Sequence, residues 1–269
     1  MWKPAAAPVL FILKNLRSQA PPTAEYGANT GLGALAAFLT AGFPQRAGFA
    51  ALLSSVASVA DVVEIGVPFS DPMADGMTIQ RSSFKAIENG VTLRWIFSEL
   101  ERSGKAISAP LVMMSYLNPL LAFGYERLAE RALATGVCAF IVPDLPFEES
   151  EELRLALDRH GIGLIQLVTP ATPAPRMKKL AAASKGFVYA VTITGITGGG
   201  GALPDDLAEY LDRVSGQSSL PVCAGFGIRA AKDVANVGKH ASGAIVGSAL
   251  VEVLERGDDP AAFLKSLRR

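Results

Sequence analysis

The amino-acid sequence predicts an α/β fold: a single-domain (β/α)8 TIM barrel behind an N-terminal helical extension. Eight short apolar segments recur along the 269 residues, and helical patterns alternate with them. Their spacing is typical of repeated βα units. An open doubly wound sheet is the main alternative, but residues 40–44, which follow the first apolar segment, lack the Gly-x-Gly-x-x-Gly fingerprint of that fold. The predicted boundaries are residues 1–30 for the extension and residues 31–269 for the barrel.

The predicted elements follow from hydrophobic patterning. Near-continuous apolar runs are typical of strands that are buried on both faces of a parallel sheet. The predicted strands are residues 34–39, 62–67, 111–115, 139–142, 164–168, 187–192, 222–226 and 244–247. The predicted helices are residues 50–60, 93–100, 128–134, 151–158, 177–183, 207–214, 232–237 and 249–254. Within the extension, residues 9–16 have the spacing of a short amphipathic helix, which we favour over a signal peptide.

Composition excludes several classes of function. Twenty-five basic residues balance 25 acidic ones, so no net charge favours a nucleic acid or an anionic membrane as a partner. Two cysteines exclude a disulfide framework and are typical of a reducing compartment, from which we expect a cytoplasmic protein. Only two histidines are present, so no His-rich metal centre is expected.

The second predicted strand carries the first candidate for chemistry. Alternation along a strand places Val62, Glu64 and Gly66 on one face. A carboxyl among apolar residues is costly to ionise, so its pKa should rise, and such a group suits general acid–base catalysis. The alternative is a buried structural ion pair, although no basic residue lies at the adjacent strand ends.

The loop after this strand contains two more acids, Asp71 before Pro72 and Asp75 before Gly76. Turn formation or helix capping is the simplest role for either side chain. Asp75, however, is close enough in sequence to reach the same cavity as Glu64. Two carboxyls in different surroundings are the usual way to divide acid and base roles.

Three later strands supply further candidates. Tyr189 has the parity to point into the barrel, although an ordinary core tyrosine is an equal alternative. Strands seven and eight end in glycine-rich turns around Gly227 and Gly247, which expose backbone N–H groups at the catalytic face of a barrel and predict a phosphorylated ligand. No predicted strand contains lysine, which excludes a Schiff-base lysine on a strand.

Residues 64–76 resemble the signature of the tryptophan synthase α subunit family nearly throughout. Further matches to the family are residues 39–42, 116–119, 143–146, 194–198, 225–228 and 247–248. Together they extend over all eight predicted βα units. Two departures stand out: Phe43 occupies a position where the family commonly has Asp, and Met77 one where it commonly has Pro.

The resemblance implies aldol-type cleavage of indole-3-glycerol phosphate to indole and glyceraldehyde 3-phosphate. It implies that Glu64 and Asp75 are the catalytic pair and that Tyr189 assists them. Thr197 and the glycines after it resemble the closing lid of the family. The residues implied to bind the substrate or its phosphate are Thr197, Gly198, Gly227, Gly247 and Ser248.

The resemblance also implies a partner, the β subunit, in an α–β–β–α complex. Pyridoxal phosphate is then expected on the β subunit, with no cofactor or metal in this chain. Asp71 and Asp144 lie in loops that match the partner contacts of the family. Two alternatives stay open: a free-standing indole-3-glycerol-phosphate lyase, and a non-catalytic phosphate-binding barrel that regulates a β subunit.

Overall fold

The computed structural model describes residues 33–104, 107–192 and 206–268. Eight parallel strands pair in sequence order and close into a barrel when β8 pairs with β1. The strands are β1 (Ala34–Thr40), β2 (Val62–Gly66), β3 (Leu111–Met114), β4 (Val137–Ile141), β5 (Gly163–Val168), β6 (Val188–Val191), β7 (Val222–Gly225) and β8 (Gly243–Val246). The predicted barrel is therefore confirmed. The predicted helix at residues 9–16 lies outside the described residues, and the boundary at residue 30 stays a prediction.

Helices surround the barrel and connect its strands. They are α1 (Phe49–Ala57), α2 (Met77–Glu88), α3 (Leu93–Ser103), α4 (Leu117–Phe123), α5 (Tyr125–Thr135), α6 (Glu151–Asp158), α7 (Ala174–Ala183), α8 (Leu207–Ser215), α9 (Ala231–Val237), α10 (Ser248–Glu255) and α11 (Pro260–Ser266). Local sequence explains several ends. Thr92 caps α3 by accepting a hydrogen bond from the N–H of Trp95, and Asp259 caps α11 just before Pro260.

Three helices, α2, α4 and α11, were not predicted, and α2 shows why. Its buried face is polar, because Thr78, Ser82 and Ser83 point inward. Ser82 Oγ lies 2.6 Å from Thr40 Oγ1, and Ser83 Oγ accepts a hydrogen bond of 2.8 Å from the N–H of Phe69. Large apolar side chains lie on the solvent side instead, so hydrophobic periodicity does not reveal this helix.

Alternation along the strands fills the barrel interior with one set of side chains and packs the other set against the helices. The interior set is largely small or aliphatic and includes both cysteines, which are buried and unpaired. The rings of Phe38 and Tyr189 fit between the strands because a glycine on the neighbouring strand leaves space for each of them. A methyl group on Gly66 would lie 2.4 Å from Phe38 Cζ, and one on Gly225 would lie 2.1 Å from Tyr189 Oη.

The amino-terminal end of the barrel is tied together by an ion pair. The carboxylate of Asp61, just before β2, accepts hydrogen bonds from the N–H of Leu35 at 2.8 Å and from Arg268 Nη2 at 2.5 Å. His240 also lies toward this end and contacts Asp212 Oδ1 through Nδ1 at 2.9 Å. Among the helices of the described ranges, none has the length and apolar character that a membrane span requires.

Candidate active site

Within the eight strands that the structure describes, Glu64 is the only Asp, Glu, Lys, Arg or His residue. It lies in the middle of β2, opposite Phe38 of β1 and Val112 of β3, and its side chain is fully buried. Neither carboxyl oxygen has a hydrogen-bond partner, and no described cation pairs with it. Desolvation raises the pKa of Glu64 to about 8, so the group is mostly protonated at neutral pH.

Asp75 lies in the loop between β2 and α2, in different surroundings. Tyr116 Oη donates a hydrogen bond of 3.1 Å to Asp75 Oδ2 and accepts one of 2.8 Å from the N–H of Ala74. Burial raises the pKa of Asp75 to about 6, and the bond from Tyr116 acts in the opposite direction. Tyr116 belongs to residues 116–119, which match the family. Its role cannot be predicted from a local pattern, because the contact with Asp75 spans 41 residues.

Tyr189 lies close enough to Glu64 and Asp75 for the charge of each carboxylate to act on its pKa. It is buried on β6, and burial raises its pKa well above the usual value, with further increases from the charges of Glu64 and Asp75. The phenol therefore stays neutral. Its ring stands edge-on to Phe226, with 5.9 Å between the ring centroids.

A small cavity opens at this end of the barrel. It is lined by Phe38, Thr40, Gly66, Asp75, Tyr116 and neighbouring residues of β3 and α2. The walls are largely apolar, and Asp75 and Tyr116 supply polar groups. Apolar walls with a few convergent polar groups are the usual composition of a small-molecule site.

The glycine-rich turns lie at the same end, after β7 and β8. Phe226 and Gly227 both have left-handed backbone, with φ of 79° and 78°, which turns the chain sharply after β7. Gly247 precedes α10, and Ser248 is its first residue. The positive end of a helix dipole and free N–H groups are therefore available to an anion. The predicted sites Thr197 and Gly198 lie outside the described residues.

Asp71 and Asp144 occupy the neighbouring loops. Asp71 is exposed, and Ser70 Oγ donates a hydrogen bond of 2.5 Å to it. Asp144 Oδ1 accepts a hydrogen bond of 2.9 Å from the N–H of Leu117 at the start of α4. Met73 and Met77, on the same side as Asp71, are 78% and 57% exposed. Phe43 is buried in the core and does not open onto solvent.

Comparison with known proteins identifies the family. The family model described as "Tryptophan synthase alpha chain" matches residues 27–268. A tryptophan synthase alpha chain from Desulfovibrio desulfuricans is 45% identical over 234 residues, which cover 86% of this chain and 92% of the relative. One from Bacillus cereus is 47% identical over 196 residues, covering 73% of this chain and 76% of the relative.

Solved structures agree. A Mycobacterium tuberculosis tryptophan synthase structure superposes with a TM-score of 0.84 at 31% identity and covers 97% of each chain. The tryptophan synthase subunit alpha from Legionella pneumophila has a TM-score of 0.83 at 30% identity and covers 98% of each. The chain therefore belongs to the tryptophan synthase alpha chain family, lyases that cleave indole-3-glycerol phosphate.

Proposed function

We propose that this chain cleaves indole-3-glycerol phosphate to indole and glyceraldehyde 3-phosphate with Glu64 as the proton carrier. The observation that supports this assignment is the state of Glu64: a fully buried carboxyl with no partner and a pKa raised to about 8. A buried acid without a partner is costly for stability. Its persistence inside a barrel, below the strand ends where enzymes of this fold carry their active sites, points to chemistry.

The reaction balances with one proton carrier. Glu64, protonated at neutral pH, delivers a proton to C3 of the indole ring, and positive charge develops on the ring nitrogen. The Glu64 carboxylate then takes the proton of the side-chain hydroxyl next to the bond that breaks. The C–C bond electrons return to the ring, the hydroxyl carbon becomes the aldehyde, and Glu64 ends protonated as it began.

Asp75 acts in the ionised form. Its pKa of about 6 lies below that of Glu64, so near neutral pH Asp75 is mainly a carboxylate while Glu64 is mainly an acid. Asp75 accepts the hydrogen bond of the indole N–H and stabilises the positive charge that develops there. Tyr189, held neutral by burial, assists as a hydrogen-bond donor beside the two carboxyls.

The phosphate of the substrate binds to backbone N–H groups near Gly227, Gly247 and Ser248, which we call the phosphate cradle. The N-terminus of α10 adds the favourable end of its dipole. Thr197 and Gly198, which follow β6 in the sequence, complete the substrate site in this proposal.

A β subunit is the proposed partner, with pyridoxal phosphate on that subunit and none here, in an α–β–β–α assembly. Met73 and Met77, close to Asp71 in sequence, are large apolar side chains exposed to solvent, which supports a protein interface in this region. Asp71 is free to face such a partner, whereas Asp144 is already engaged as a helix cap and contributes to the loop shape. Both cysteines are free and buried, which suits a cytoplasmic protein.

The deciding experiment is indole release from indole-3-glycerol phosphate by the purified chain, alone and with a tryptophan synthase β subunit. We expect release in both cases and faster release in the complex. The Glu64→Gln variant should bind the substrate and release indole at least about a thousandfold more slowly. Normal turnover by that variant would contradict the proton-carrier assignment, and equal rates with and without the β subunit would favour the free-standing lyase.

A further inference from the structure

One face of α10 connects the phosphate cradle to the helix that follows Asp75. Ser248, Glu252 and Glu255 are spaced by four and three residues, so they lie on one side of α10. Ser248 belongs to the cradle, and the two carboxylates lie one and two turns further along. Both carboxylates contact α2.

Glu252 contacts two different elements at once. Its Oε1 lies 3.4 Å from Thr78 Oγ1, which donates a hydrogen bond from the first turn of α2. Its Oε2 pairs with Nη2 of Arg229, which stands two residues after Gly227 in the turn of β7. A single side chain therefore joins both turns of the cradle to α2.

The α2 end of this connection holds Asp75. Thr78 is buried and lies three residues after Asp75. Gln80, also in the first turn of α2, donates a hydrogen bond of 2.8 Å from Nε2 to the carbonyl oxygen of Asp75. The position of α2 thus sets the position of the Asp75 backbone.

We infer that Glu252 is a positioning residue that aligns Asp75 with the phosphate cradle, so that a phosphate-anchored substrate meets the carboxylate at the correct distance. The inference rests on the proposed function. Small displacements of a catalytic group cost large factors in rate, which is why a fixed link between the two parts of the site matters.

Arg229 reduces the repulsion that the Glu252 carboxylate would exert on a phosphate bound in the cradle. Glu252 alone would place a negative charge one turn below the phosphate cradle and oppose phosphate binding. Its pairing with Arg229 offsets that charge. Loss of Glu252 should therefore leave phosphate binding intact or stronger, while the alignment of Asp75 suffers.

Glu255 provides a matched control on the same helix face. It pairs with Arg81 of α2 through two contacts, Arg81 Nη2 to Oε2 at 3.1 Å and Arg81 Nε to Oε1 at 3.3 Å. It has no contact with the cradle turns among the described residues. Glu252→Ala and Glu255→Ala each remove one carboxylate from the contact between α10 and α2, so they separate positioning from helix packing.

Steady-state indole release should distinguish the two variants. For Glu252→Ala we expect kcat to fall about tenfold with no rise in KM, as for the loss of one hydrogen-bonded charged group that acts mainly in the transition state. For Glu255→Ala we expect kcat within about twofold of the wild type. An unchanged kcat in Glu252→Ala, or an equal loss in both variants, would overturn the inference.

Hydrogen exchange with inorganic phosphate as the probe supplies the second readout. In the wild type, phosphate should slow amide exchange both at residues 247–250 and at residues 76–80. In Glu252→Ala, only residues 247–250 should remain protected. Wild-type protection at 247–250 without protection at 76–80 would refute the positioning role alone. No phosphate effect anywhere in the wild type would contradict the proposed phosphate site and this inference together.

Discussion

Two acids lie three residues apart at β2, and their surroundings are opposite. Asp61, just before the strand, is held by the Leu35 N–H and by Arg268. Glu64, three residues later, is more deeply buried and has no partner for either oxygen. A carboxylate with partners therefore lies just before the first residue of β2, and a carboxyl without partners lies at the centre of the strand.

This difference teaches how burial and partners divide structure from chemistry. A carboxylate with a cation and an N–H donor stabilises the fold because its charge is compensated. A carboxyl with neither keeps its proton and remains available to a ligand. Asp61 therefore serves stability, whereas Glu64 is the residue to which we attribute catalysis in the proposed function.

The largest expected effect is on activity and comes from a substitution at Glu64. Glu64→Gln should reduce indole release at least about a thousandfold, equivalent to about 4 kcal/mol of transition-state stabilisation, because the amide cannot transfer the proton. Its thermal unfolding temperature should match or exceed that of the wild type. A variant that unfolds much earlier would show that Glu64 also has a structural role.

The next effect is on the pH dependence of stability. The folded-state pKa of Glu64 is about 8 against an ordinary value of 4.5, so the folded protein holds a proton that the unfolded chain releases. Its contribution to stability is present below about pH 4.5 and is lost as the pH rises through about 8. Denaturant unfolding should show wild-type stability falling by a few kcal/mol relative to Glu64→Gln over that interval. Parallel pH profiles for the two proteins would contradict the raised pKa.

A smaller effect is expected at the amino-terminal end. Asp61→Ala should lower the free energy of unfolding by about 2 kcal/mol, because it leaves the Leu35 N–H and Arg268 without their acceptor. The value of kcat should stay close to that of the wild type. Asp61→Asn, which keeps an acceptor for Leu35, should lose less stability. A large loss of kcat in well-folded Asp61→Ala would contradict the different roles of Asp61 and Glu64.

The smallest effect concerns Asp75. A pKa of about 6 for Asp75 and about 8 for Glu64 predicts that kcat/KM falls below about pH 6 and above about pH 8. Tyr116→Phe removes a hydrogen bond that favours the carboxylate, so the acidic limb should move to higher pH by about half a unit. The basic limb should stay in place. A shift of the basic limb alone would show that Tyr116 acts on the other carboxyl.

The barrel itself could be predicted from the sequence because its strands are buried on both faces. Every predicted strand overlaps an observed one. Residues 34–39 lie within β1, and residues 244–247 overlap β8 with a shift of one residue. Helix α2 could not be predicted, because Ser82 and Ser83 form its buried face through hydrogen bonds with Thr40 and Phe69. Such pairing depends on tertiary contacts that no local pattern contains.

The candidate site was predictable to a similar extent. Strand parity was enough to point Glu64 and Tyr189 into the barrel. The contacts of Tyr116 with Asp75 and of Glu252 with Thr78 could not be inferred, because they join residues that are 41 and 174 positions apart in sequence. Position along a strand is local information, whereas the hydrogen bonds that orient a loop are set only when distant elements meet.

The rings that stand against glycine inside the barrel also constrain redesign of the pocket. Phe38 occupies the space that a side chain at Gly66 would fill, and Tyr189 does the same at Gly225. Each pair therefore shares one fixed volume. Enlarging the pocket for a bulkier indole by trimming Phe38 leaves a void that a larger residue at position 66 would refill, so productive changes must be chosen with both members of a pair in view.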